Sequence, residues 1–114
     1  MGNINQVIAC RLGILNKETA FALEYFNFPP PILIEKASEA DEVILVDHNN
    51  PGQSAKNIKQ EKVVKIIDHH GLSGFSSPEP IYILTERVGC CCTVLYKLYK
   101  DNDIPIKKIM QVLC

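Results

Sequence analysis

The chain lacks any apolar run approaching the roughly 20 residues that a membrane-spanning helix needs. It also lacks a basic start leading into an apolar segment with a small-residue cleavage site, so no secretory leader is expected. An excess of charge of either sign is missing: 12 Lys and Arg stand against 13 Asp and Glu, for a formal net charge of -1. Affinity for phosphate backbones and acidic membranes rests on clustered basic residues, and here they are scattered, so neither nucleic acid nor a membrane is expected as a partner. Lys56, Lys59, Lys62 and Lys65 come nearest to a cluster and read as the solvated flanks of a helix and a strand. Spaced cysteine pairs are absent as well. Of five cysteines, Cys90, Cys91 and Cys92 are consecutive, which suits neither a disulfide framework nor a zinc site. Reduced thiols in a cytoplasmic chain are the expectation, with the three packing a helix start as small hydrophobes. No internal repeat or low-complexity tract interrupts the chain.

What is present is a globular composition, 46% hydrophobic and 22% charged over 114 residues, which fits one domain of ordinary size. Gln6 to Cys10 reads as a short strand that turns at Gly13. Asn16 can cap a helix over Lys17 to Phe26. Phe21, Tyr25 and Phe26 recur on it at helical spacing, and these aromatics are expected in the core. Pro29, Pro30 and Pro31 then enforce an extended linker. Glu35 to Asp41 reads as a helical turn and Ala55 to Gln60 as weakly helical. Gly71 to Pro80 should be a mobile loop, followed by a strand at Ile81 to Leu84 and a helix from the cysteines to Asp101. Pro105 opens a last helix with Ile106, Ile109, Met110 and Leu113 on one face.

The chemistry gathers in two places. Val43 to Val46 and Val63 to Ile67 are short runs rich in β-branched residues, and each stops at an aspartate followed by histidine: Asp47-His48-Asn49 and Asp68-His69-His70. Such runs read as buried parallel strands that deliver their last residues to the carboxyl edge of a sheet, where open α/β folds bind ligands. The 22 residues from Asp47 to His69 (69 - 47 = 22) leave room for a crossover between neighbouring strands. Carboxylate oxygen with neutral imidazole nitrogen suits manganese, cobalt, iron or zinc, whereas calcium and magnesium prefer all-oxygen shells. From an extended backbone His69 and His70 should point in opposite directions and play different parts.

V-D-H-N-N and I-I-D-H-H, with E-R-V-G-C-C-C-T-V-L-Y-K-L-Y-K downstream and R-L-G-I-L-N-K-E-T-A-F-A-L-E-Y-F upstream, resemble the DHH phosphoesterase superfamily, and within it the manganese-dependent (family II) inorganic pyrophosphatases. The resemblance implies an α/β fold with a parallel sheet flanked by helices, a truncated DHH-type three-layer αβα arrangement, with residues 1–114 as a partial catalytic domain. It implies hydrolysis of pyrophosphate to two phosphates at a two-metal site holding Mn2+ or Co2+, with Mg2+ as an additional ion. Asp47 matches the carboxylate that bridges the metals and His69 a metal ligand. His70 matches a histidine facing the substrate phosphate, so Asp47 and His70 are the catalytic candidates. Asp68 and His48 would stand behind the metals.

Departures from the family pattern accompany the likeness. Its first metal motif, His-x-x-x-Asp-x-Asp, has no counterpart, and no histidine or aspartate precedes Arg11. A further aspartate and a basic second domain would lie beyond Cys114. Asn50 replaces a glutamate, and Cys91 with Cys92 replaces a Thr-Ala pair. A chain of this extent is expected to be inactive or nearly so alone, and exposed sheet edges would favour a homodimer. Two other readings use the same residues: a DHH phosphoesterase acting on nucleotides, and a non-catalytic regulatory or interaction domain derived from the fold.

Overall fold

The computed structural model describes residues 7–34, 42–54 and 62–107. The turn at Glu35 to Asp41, the helical stretch at Ala55 to Gln60 and the last helix beyond residue 107 lie outside the described residues. The chain divides into two compact units, Met1–Glu35 and Lys36–Cys114.

In the first unit, β1 (Cys10–Arg11) pairs in parallel with β2 (Ile32–Leu33), Cys10 opposite Ile32. Between them runs α1 (Lys17–Tyr25). Its start follows the sequence closely: Asn16 is extended and its side-chain oxygen accepts from the Thr19 N–H at 2.7 Å, satisfying one of the orphan donors of the first turn. Its end comes before the prolines. Asn27 takes the left-handed conformation (φ 52°), Phe28 N–H donates to the Leu23 carbonyl at 2.8 Å and Asn27 N–H to Glu24 at 3.0 Å, the paired bonds of a Schellman ending. The expected core role of the aromatics does not hold. Phe21 is 68% and Tyr25 71% exposed, no residue of α1 is buried, and the rings instead pack on one another, Phe21 stacked on Tyr25 and Tyr25 edge-on to Phe26. Helical spacing shows which residues share a face, but burial needs an opposing layer, which the described residues of this unit, two dipeptide strands and one helix, do not supply. The first strand is also shorter than expected, starting at Cys10, with the Ala9 carbonyl accepting the Ile32 N–H at 3.3 Å.

In the second unit, β3 (Val43–Val46), β4 (Val63–Asp68) and β5 (Tyr82–Thr85) form an all-parallel sheet in the order β3-β4-β5. Val46 lies opposite Ile67, so the two aspartate-ending strands are direct neighbours. The register slips once, with Val43 opposite Val63 but Ile44 opposite Lys65, which leaves Val64 as an extra residue. That bulge brings Val63 onto the same face as Ile66, and with Leu45 they form the buried cluster against which Val43, Phe75 and Ile81 pack. α2 (Cys91–Asp101) lies against β4 and buries Cys91 and Val94. It ends as α1 does, on a left-handed residue, Asp103 (φ 53°), with Ile104 N–H donating to the Tyr99 carbonyl at 2.9 Å. These are parallel sheets flanked by helices, the expected α/β class. Among the described residues no helix is long and apolar enough to cross a membrane.

Candidate metal centre

At the carboxyl end of β3, Asp47 leaves the extended conformation for the left-handed region, φ 66°. Aspartate tolerates this better than most residues, yet for a residue with a Cβ it carries a backbone cost. The peptide is held there by its N–H, which donates to the Ile67 carbonyl at 3.0 Å. That same carbonyl accepts the Cys91 thiol at 3.3 Å. Burial pushes the Cys91 thiol up, so it stays a neutral donor, and the first turn of α2 is thereby fastened to both strand ends. The Asp47 side chain remains 60% exposed, directed at His69.

At the end of β4, Asp68 has no exposed side-chain surface. Its Oδ2 accepts from Asn49 Nδ2 at 2.8 Å. Its Oδ1 accepts from the His69 N–H at 2.7 Å, the His70 N–H at 3.3 Å and the His70 Nδ1 at 2.7 Å. Burial on its own would raise this carboxyl, but the hydrogen bonds from Asn49, the His70 ring and the two backbone N–H groups outweigh it and hold Asp68 below its ordinary range. The group is an anion, with Oδ1 shared among three donors and Oδ2 held by Asn49.

The two imidazoles are fixed differently. His69 Nδ1 lies 3.1 Å from the Val88 carbonyl, which can only accept, so Nδ1 carries a proton. In the neutral ring Nε2 then bears a lone pair, and it faces Asp47 Oδ1 at 2.9 Å. Two lone pairs at that separation repel unless a cation, a proton or a metal, lies between them. His70 donates through Nδ1 to Asp68 and leaves Nε2 outward on a ring whose side chain is 55% exposed. The expectation that the histidines point opposite ways is corrected: their rings lie side by side with centroids 4.1 Å apart. The extended conformation ends at Asp68, where one carboxylate oxygen gathers both following N–H groups and curls the chain.

Ligand atoms of Asp47, Asp68, His69 and His70 all lie within 4.8 Å of one another. His48 is outside this group. Its Nδ1 donates to the Val46 carbonyl at 3.0 Å and its Nε2 lies 3.2 Å from Ser54 Oγ, so it secures the turn at Pro51–Gln53. The residue that sequence reasoning missed is Asn49, 3% exposed and bonded to Asp68, Gly71 and Ser73. Its signal was in plain view as the third letter of Asp-His-Asn, but an asparagine after a strand reads first as a turn residue.

The model of the DHH family, N-terminal domain, matches residues 3–114. The chain belongs to the DHH family. Among curated DHH relatives, the manganese-dependent inorganic pyrophosphatase of Bacillus subtilis is 48% identical over 99 residues, covering 86% of this chain and 32% of that protein. A protein of Oceanobacillus iheyensis assigned as a manganese-dependent inorganic pyrophosphatase is 48% identical over 104 residues, covering 91% and 34%. The crystal structure of a Methanococcus jannaschii protein assigned to the family II inorganic pyrophosphatases superposes with a TM-score of 0.79 at 35% identity, over 89% of this chain and 35% of that one. The chain thus spans about a third of the length of the relatives it matches. The Bacillus and Oceanobacillus relatives are manganese-dependent by name, and the four residues at the strand ends form a group that could hold a metal ion.

Proposed function

We propose that the rim formed by β3 and β4 is the metal end of the active site of a manganese-dependent inorganic pyrophosphatase, and that residues 1–114 form part of its DHH catalytic domain. The observation that carries this reading is the pair of lone-pair atoms, Asp47 Oδ1 and His69 Nε2, 2.9 Å apart with the His69 proton committed to Val88. Asp47 and His69 would hold Mn2+, with Co2+ as a substitute and Mg2+ as an additional ion. Bound there, the metal supplies Lewis acidity that polarises phosphoryl oxygens and makes a water more acidic. Asp68 acts behind the rim: it fixes the His69 and His70 backbone and orients the His70 ring, so that Nε2 faces outward where a phosphate of pyrophosphate would lie. His48 shapes the turn beside Asp47. Reduced thiols at Cys10, Cys90 and Cys91 support a cytoplasmic setting. β3 and β5 are the outer strands of the described sheet, and pairing along such an edge supports a homodimer.

Two ligands grip an ion weakly, so manganese binding by this chain is expected to be modest and turnover slow. The test pairs manganese titration with a phosphate-release assay on pyrophosphate. Asp47→Ala and His69→Ala should each abolish manganese binding; unchanged binding in both would overturn the assignment, and fast turnover by the chain alone would overturn the ligand count.

A further inference from the structure

We propose that Asn49 is a positioning residue that sets the direction of the Asp68 carboxylate, and through it the tautomer of His70, while tying down the first turn of the loop that follows. The inference rests on the reading that places His70 beside a phosphate, and deepens it.

The Asn49 side chain is nearly sealed from solvent, and three contacts fix which way its amide points. Nδ2 donates to Asp68 Oδ2 at 2.8 Å and to the Gly71 carbonyl at 3.0 Å, and Oδ1 accepts the Ser73 N–H at 2.8 Å. A flipped amide would set oxygen against two acceptors and nitrogen against a donor, so all three contacts agree on one orientation. With Oδ2 held, the carboxylate cannot rotate, and Oδ1 is left to the His69 N–H, the His70 N–H and the His70 Nδ1. A carboxylate at 2.7 Å keeps the His70 proton on Nδ1, the tautomer less favoured by an imidazole in water, and so leaves Nε2 as the free, outward nitrogen. None of these three Asn49 hydrogen bonds is to a histidine ring. The effect of Asn49 on His70 passes through Asp68, and the same amide makes the course of Gly71 to Ser73 depend on that carboxylate staying in place.

The test reads the imidazole nitrogens of His70 by 15N NMR in the metal-free protein, well above the ordinary imidazole range so that the ring is neutral. The wild type should show the Nδ1–H tautomer. Asn49→Ala should shift the ratio roughly tenfold toward Nε2–H, the effect of losing one hydrogen bond to the Asp68 carboxylate, and should speed exchange of the Ser73 amide by roughly fivefold, the effect of losing a neutral acceptor. Asn49→Ser serves if the alanine variant does not fold, and the amides of Leu45, Val63 and Ile66 report whether the sheet is intact. A merely structural Asn49 would change Ser73 exchange and leave the His70 tautomer alone, which overturns the proposal. A wild-type His70 protonated on Nε2 overturns it with no variant at all. Because the readout needs neither metal nor turnover, unchanged manganese binding in both Asp47→Ala and His69→Ala would count against the proposed function and leave this result standing.

Discussion

Asp47-His48-Asn49 and Asp68-His69-His70 begin with the same two letters at the ends of neighbouring strands, and the structure gives those letters opposite duties. In the first, the aspartate is presented and the histidine is spent on a local turn, through Val46 and Ser54. In the second, the aspartate is buried and spent on four hydrogen bonds, and the histidines are presented. Backbone conformation makes the difference: Asp47 turns left-handed as the strand ends, whereas Asp68 is still a ladder residue opposite Thr85. Asp68 therefore keeps the inward direction of Ile66, two residues before it. One carboxylate and one imidazole are thus brought to the rim from different strands, while their namesakes hold the rim in shape.

The contrast is open to breaking at several points. The largest effect should come from exchanging the presented residues for the spent ones. Asp47→Ala or His69→Ala should lower manganese affinity by more than about 100-fold, beyond the 10–100-fold typical of groups that only support ligands. His48→Ala should change it by less than about threefold. Calorimetric titration checks this, and equal losses for His48 and His69 would dissolve the distinction.

Stability should show the reverse ranking. Asp68→Ala strands Asn49 and two backbone N–H donors and should cost about 3 kcal/mol in denaturant unfolding. Asp47→Asn, at an exposed group, should stay within about 0.5 kcal/mol.

A third effect is pH dependence. The Asp68 carboxyl is held below its ordinary range in the folded protein, so the unfolded chain binds its proton first as pH falls. Its contribution to stability is therefore present in full above the ordinary carboxylate range and is lost as pH drops through the folded value. Unfolding curves between neutral and strongly acid pH should show this loss in the wild type and a shallower one in Asp68→Asn.

The smallest expected effect extends the comparison to neighbouring thiols. Cys90 is exposed and its thiol is lowered, chiefly by the Thr93 hydroxyl, whereas burial raises Cys91. Iodoacetamide should modify Cys90 at least about tenfold faster than Cys91, read by peptide mass spectrometry.

Much of this was legible in the letters, for identifiable reasons. Two apolar runs stopping at Asp-His gave neighbouring parallel strands because a short β-branched run has few other ways to be buried, and the structure sets Val46 opposite Ile67. Asn16 gave the start of α1 because capping is decided within one turn. The misses share a different cause. Spacing alone puts the aromatics of α1 on one face without supplying a core for them, and the alternation that would set the histidine rings apart holds only in a strand, which ends at Asp68. The left-handed Asp47 and the buried Asn49 depend on contacts 19 to 24 residues away in the chain, which no local pattern encodes. Residue types for a metal site could be read from the sequence; which members of each pair reach the rim required the backbone.

The most direct measurement is anomalous diffraction at the manganese edge from crystals of the protein grown with Mn2+. The account predicts a peak within bonding distance of both Asp47 Oδ1 and His69 Nε2, about 2.1–2.2 Å from each, with Asp68 still bound to Asn49 and His70. A peak held by Asp68 or His48 instead, or none between Asp47 and His69 at saturating manganese, would contradict it.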